Sequence, residues 1–148
     1  MKLTAMSKQL YYEDVATGSE ISPLTKQPTT RQLVMWAGVS GDYNPIHYDK
    51  DFALDRGLPG VIVQGQLIGC FLGQLMTDWI GEQGILRKLS CSYKGMNFPG
   101  EALICKGKVN KKYIKDSQHY VECSLWVENP KGEKTVSGRA IVILPSSG

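Results

Sequence analysis

Val61 to Ile80 constrains the fold more than any other stretch. Leu67, Ile68, Phe71, Leu72, Leu75, Met76, Trp79 and Ile80 recur there at helical spacing around much of the circumference. A helix apolar nearly all round must be buried. It also carries Gly65, Gly69 and Gly73, one every four residues. Each interior glycine costs about 1 kcal/mol of helix propensity relative to alanine. Three on one face predict another backbone, such as that of a curved sheet, lying close against them.

From Leu86 onward the period changes to two. Leu89, Cys91 and Tyr93 alternate with polar residues; so do Leu103, Cys105, Gly107 and Val109, then His119, Val121, Cys123, Leu125 and Val127, and a last run covers Thr135 to Leu144. With turns at Pro99-Gly100 and Asn129-Pro130-Lys131-Gly132, this pattern predicts four strands in an antiparallel meander. A long buried helix ahead of long strands predicts an α+β domain in which a sheet wraps the helix. One sheet around one helix leaves an edge strand to protect, and pairing two sheets edge to edge in a dimer would protect it.

Upstream, residues 1–10 are expected to form a lead-in segment. Tyr11 to Val15 with Thr17-Gly18 predicts a short strand and a turn, and Pro23 and Pro28 predict a loop or an extended edge. Thr29 or Thr30 is placed to cap a helix whose apolar residues are Leu33, Val34, Trp36 and Ala37, ended by Gly38 and Gly41. Asp49 or Asp51 is placed to cap a helical turn around Phe52-Ala53-Leu54, and Gly57-Leu58-Pro59-Gly60 reads as a shaped loop.

A chain of 148 residues is expected to be one domain, 1–148, long enough to bury a core unaided. Its 17 Lys and Arg against 14 Asp and Glu leave +3, and their scatter argues against nucleic acid while suiting a phosphorylated substrate. Cys70, Cys91, Cys105 and Cys123 form no C-x-x-C pair and are expected to be buried, reduced thiols of a cytoplasmic protein. Met1 to Ala5 shows no secretory apolar region, and no run approaches the ~20 apolar residues of a membrane span.

The polar residues with chemical potential concentrate in Ser40-Gly41-Asp42-Tyr43-Asn44-Pro45-Ile46-His47-Tyr48-Asp49, which holds one of the two histidines. Asp42 and His47, facing each other, could hold a water and exchange its protons. Asn44 could orient either partner or the substrate, and Pro45 limits the loop's freedom. Val63-Gln64-Gly65-Gln66 opens the buried helix, where backbone N–H groups lack intrahelical partners and the dipole favours negative charge. The Gly65 N–H could therefore receive a thioester oxygen as it becomes enolate-like. Acid, base and oxyanion donor together suit addition of water to an α,β-unsaturated thioester, or its reverse. Alternatively, Asp42 and Asn44 form an Asx-turn without catalysis, or Asp42, His47 and Asp49 bind a metal. Tyr43 and Tyr48 are expected to pack, Trp36, Trp79 and Trp126 to be core or dimer-contact residues, and Arg31, Arg87, Lys88 and Lys94 to be solvated.

The octapeptide Ser40-Gly41-Asp42-Tyr43-Asn44-Pro45-Ile46-His47, with Ala53 six residues further on, resembles the hydratase motif of the MaoC-like, (R)-specific enoyl-CoA hydratases. The resemblance extends over Tyr12-Glu13-Asp14-Val15, Gly57-Leu58-Pro59-Gly60-Val61 and Lys94-Gly95-Met96-Asn97-Phe98-Pro99-Gly100. It implies the hot-dog fold, an antiparallel sheet wrapped around a long central helix. It implies hydration of trans-2-enoyl-CoA to (3R)-hydroxyacyl-CoA, or the reverse, with Asp42 and His47 catalytic, Asn44 and Ser40 orienting, the Gly65 amide as oxyanion donor, and no metal or bound cofactor. It further implies an acyl-CoA substrate and a homodimer, or a heterodimer with a related subunit. Two positions depart from the family's common pattern: Gln64 where many relatives have His, and Gly73 where some have Ser. A hot-dog acyl-CoA thioesterase and an acyl-CoA-binding subunit of a heteromeric hydratase are the competing readings.

Overall fold

The computed structural model describes residues 8–148. Most of the expected lead-in lies outside the described residues, but Gln9 is held by hydrogen bonds to the Ile80 carbonyl (2.8 Å) and from the Gln83 amide (2.9 Å). Five strands, β1 (Glu20–Lys26), β2 (Ile85–Tyr93), β3 (Leu103–Lys115), β4 (Gln118–Glu128) and β5 (Lys134–Leu144), accompany three α-helices, α1 (Thr30–Ser40), α2 (Lys50–Asp55) and α3 (Gly65–Ile80). The strands form one antiparallel sheet in the order β1-β3-β4-β5-β2. The sheet wraps α3, which touches all five strands. This is the expected hot-dog architecture.

The core follows the two periodicities. Leu67, Ile68, Phe71, Leu72, Leu75, Met76 and Ile80 of α3 are buried against the inward residues Leu103, Cys105, Val109, Val121, Cys123, Leu125, Val127, Val136, Ala140 and Val142. Each fully buried aliphatic side chain contributes roughly 1.5–3 kcal/mol of transfer free energy.

Several expectations are corrected. Only β3, β4 and β5 form a meander. β2 pairs with β5 instead, Leu89 opposite Ala140 and Tyr93 opposite Val136. Period two reports which face of a strand is buried, not which strand is its neighbour. Residues 94–102 cross from the β2 edge to β3, with Gly95 N bonded to Thr135 O (3.0 Å) and Gly100 N to Pro28 O (2.7 Å). Tyr12–Asp14 is a 3-10 turn rather than a strand, because the Asp14 carboxylate turns back to accept from Tyr11 N at 3.0 Å. The extended-edge reading of Pro23 holds: it lies in edge strand β1 at an irregularity in the pairing between Ile21 and Leu24.

The helix α3 is not covered all round in the single chain, since Gln66, Cys70, Gln74, Thr77 and Asp78 are exposed. Cys70 therefore departs from the expected burial, while Cys105 and Cys123 are buried and all four thiols are free. The glycine face meets side chains of β2 rather than backbone: Tyr93 stands over Gly65 and Gly69, and Leu89 beside Gly73. Trp36 and Trp79 pack against the core, whereas Trp126 lies half-buried with Lys134 Nζ 4.5 Å above its ring.

Candidate active site

The motif loop is built from successive side-chain-to-backbone hydrogen bonds. The Thr29 hydroxyl caps α1 by accepting from Gln32 N (3.2 Å). Gly41 ends the helix in the left-handed conformation, φ 76°, which glycine adopts without steric cost. Ser40 Oγ donates to Trp36 O (2.7 Å) and accepts from Asp42 N (3.1 Å). Asp42 Oδ1 accepts from Asn44 N (3.3 Å), and Asn44 Oδ1 accepts from Ile46 N (3.3 Å). Asn44 thereby caps a 3-10 turn, Pro45–His47, with proline at the position where a missing N–H costs nothing. Asp49 Oδ1 caps α2 through Phe52 N (3.0 Å), which settles that aspartate as a helix cap.

The result presents His47 and Asp42 to each other. His47 is 7% exposed, and its Nδ1 lies 2.7 Å from the Ile62 carbonyl. A carbonyl only accepts, so Nδ1 carries a proton, and the ring's remaining polar atom is Nε2. Nε2 faces Asp42 Oδ2 at 3.5 Å. That separation exceeds a good hydrogen bond but lies within ion-pair range. Asp42 thus divides its work, with Oδ1 holding the Asx-type turn and Oδ2 turned to the histidine. The Asx-type turn accounts for Oδ1 alone and leaves Oδ2 outside it.

A short strap ties this pair to the start of α3. Ile62 N donates to Ile46 O (3.1 Å), Ile62 O accepts from His47, and Val63 N donates to Asn97 O (2.8 Å). Gly65, three residues beyond Ile62, is the first residue of α3. The first intrahelical bond runs from Ile68 N to Gln64 O (3.3 Å), and the Gln64 side chain does not cap the helix. The amides of Gly65, Gln66 and Leu67 are therefore those a helix leaves without an internal acceptor.

Tyr43 and Tyr48, expected to pack, are exposed, with Tyr48 Oη donating to Tyr43 O (2.8 Å). Arg31, Arg87, Lys88 and Lys94 are exposed as expected. Among the described residues no three His, Cys, Asp or Glu side chains group as a metal centre requires. Sequence reasoning missed the Ile62 carbonyl and Asn97, whose buried Oδ1 accepts from Thr135 Oγ1 (2.9 Å). The signals for Asn97 are its place in the resembling stretch Lys94 to Gly100 and a polar residue beside Met96, Phe98 and Pro99.

A cavity of about 560 Å³ lies among Leu10, Pro23, Leu24, Leu75 and Trp79. Leu75 to Trp79 stand about 15–21 Å along the helix from Gly65 at 1.5 Å per residue, so this space is separate from the Asp42–His47 pair. Nearer the motif, about 540 Å³ opens beside Tyr48, Lys50, Pro59, Val61 and Phe98, and about 440 Å³ runs along the glycine face of α3 between Gln66, Gly73, Leu89 and Tyr93.

The family described as MaoC like domain matches residues 14–129. An (R)-specific enoyl-CoA hydratase of Aeromonas caviae is 27% identical over 123 residues, which cover 82% of this chain and 90% of that protein. A fatty acid synthase subunit beta of Aspergillus oryzae is 39% identical over 72 residues, 47% of this chain. The chain spans about 4% of the length of that subunit. Among solved structures, the unliganded R-hydratase PhaJ1 from Pseudomonas aeruginosa superposes with a TM-score of 0.85 at 25% identity, covering 94% of this chain and 88% of that one.

Proposed function

Since the chain belongs to the MaoC-like domain family, we propose that it is a hydro-lyase which adds water to a trans-2-enoyl-CoA, giving a (3R)-hydroxyacyl-CoA, or removes it in reverse. The observation that carries this reading is the state of His47. Its Nδ1–H is spent on the Ile62 carbonyl, and its Nε2 is left facing Asp42 Oδ2. Asp42 and His47 hold the reacting water between them. One accepts a proton as the water oxygen bonds to C3, and the pair delivers a proton to C2. The sum is one water added across the double bond, with the pair returned to its starting charge. Negative charge grows meanwhile on the thioester oxygen, and the Gly65 N–H, with the positive end of the α3 dipole, stabilises it. Ser40 and Asn44 orient the loop through their hydrogen bonds.

The whole described chain, with its single sheet and single core, acts as one such domain in the cytoplasm. No described helix is long and apolar enough to cross a membrane. β1 and β2 are the open edges of the sheet. Pairing of the β2 edge with a second copy would bury it and the exposed face of α3, which supports a homodimer.

The test is to follow loss of the conjugated-thioester absorbance with purified protein and enoyl-CoA substrates of several chain lengths. Wild type should hydrate at least one, and Asp42→Asn, which keeps an oxygen for Asn44 N, should be slower by roughly 100-fold or more. Free CoA released in place of hydration would assign the thioesterase reading instead.

A further inference from the structure

Gln64 is buried to 1% exposure in an otherwise apolar stretch. Its Nε2 donates to the Leu33 carbonyl of α1 at 2.8 Å, a carbonyl that already serves the helix's own hydrogen bonding. Its Oε1 is buried without a partner among the described residues. A methionine would fill nearly the same length with no unsatisfied oxygen. A buried amide left half-satisfied is a poor choice for stability and calls for another explanation.

Its position supplies one. Asp42 leaves the C-terminal end of α1. His47 is fixed to Ile62. Gly65 begins α3. Gln64 lies between Ile62 and Gly65, and its side chain reaches back to α1. With the Ile62–His47 bond it closes a circuit of α1, the motif loop, the strap and the first turn of α3. Without the Gln64 bond, the hydrogen bonds that tie the start of α3 to the motif run only through Ile62, and packing alone sets its position relative to α1. The geometry points to Gln64 as a positioning residue that sets the Gly65 amide in register with Asp42 and His47. This role rests on the hydration reading above. Its interest is that stability and activity should move in opposite directions, as they do where a site is built at the expense of the fold.

The experiment compares wild type, Gln64→Met and Gln64→His in thermal unfolding and enoyl-CoA hydration. In Gln64→Met the Tm should stay equal or rise, while kcat falls about 10- to 100-fold and KM changes by less than about threefold, the mark of misplacement by a fraction of an ångström. Gln64→His, which keeps one N–H donor at similar reach, should recover most of kcat. Gln64→Met that keeps wild-type kcat, that unfolds, or that is no worse than Gln64→His overturns the proposal. A separate readout needs no turnover: NMR of the His47 Nδ1 proton and of amide exchange at Gly65 to Leu67. Faster exchange and a shifted His47 proton in Gln64→Met are expected. If both are unchanged, the strut is wrong whatever the chemistry; if wild type hydrates no enoyl-CoA but these signals move, the hydration reading fails and the strut stands.

Discussion

The Tyr93 ring lies against the backbone of Gly65, so that a Cβ at Gly65 would stand 3.2 Å from Tyr93 Cδ1. The same side chain places its hydroxyl 2.8 Å from a Cβ at Gly69, while at Gly73 the nearest atom, Leu89 Cδ2, is 3.7 Å away. One aromatic residue at the end of β2 therefore explains why the first turns of α3 have no side chain on this face. The third glycine has no such reason.

This gradient orders the alanine substitutions. Gly73→Ala meets only ordinary contacts and gains helix propensity of about 1 kcal/mol, so its Tm should rise by about 2–4 °C. Gly69→Ala gains the same propensity but must move the Tyr93 hydroxyl, the free end of an exposed side chain, and should rise less. Gly65→Ala sits at the helix start, gains less, and presses on the ring itself. Differential scanning calorimetry that ranked Gly65→Ala above Gly73→Ala would refute the role given to Tyr93.

These contacts mark what sequence alone conveys. The caps at Thr29 and Asp49, the helix around Leu72 and the inward alternation of β3 and β4 are legible because each is fixed by residues a few positions apart. The Asp42–His47 pairing is legible for the same reason, both residues belonging to one short loop. The place of β2 is not, because Leu89, Cys91 and Tyr93 alternate identically whether β3 or β5 lies beside them. Gln64 and Asn97 also escape, since a polar residue is read as exposed until distant elements, α1 for one and β5 for the other, are seen to enclose it.

The two ends of the described chain are joined by one carboxylate. Glu13 accepts from Ser146 Oγ (2.6 Å), Ser147 N (3.0 Å) and Ser147 Oγ (3.1 Å). The Ser146 hydroxyl foremost, then the Ser147 amide, lower its pKa from 4.5 to about 2. The folded value lies below the unfolded one, so this tie favours the ordered tail fully above about pH 4.5 and is lost as pH falls toward 2. NMR of Ser146 and Ser147 should report the tail loosening over that acid window, and Glu13→Gln should remove the titration. Serine signals that titrate at the ordinary carboxylate value would contradict the assignment.

Asn44 and Asp49 cap consecutive turns with the same kind of bond, but only Asn44 lies between Asp42 and His47. Asp49→Ala leaves Phe52 N without its acceptor and should cost about 1 kcal/mol, lowering Tm by about 2–4 °C, with hydration unchanged. Asn44→Ala removes the acceptor of Ile46 N at similar cost. Here, however, the loosened turn carries His47 at its end, and the Ile46 carbonyl receives the Ile62 N–H that holds the strap. Both anchors of the histidine shift together, so kcat should fall at least about tenfold. Asn44→Ser, which keeps a short capping oxygen, should recover part of it. Steady-state kinetics beside thermal unfolding separates the two caps: equal losses of stability and of activity in Asn44→Ala and Asp49→Ala would mean that Asn44 serves the fold and not the site.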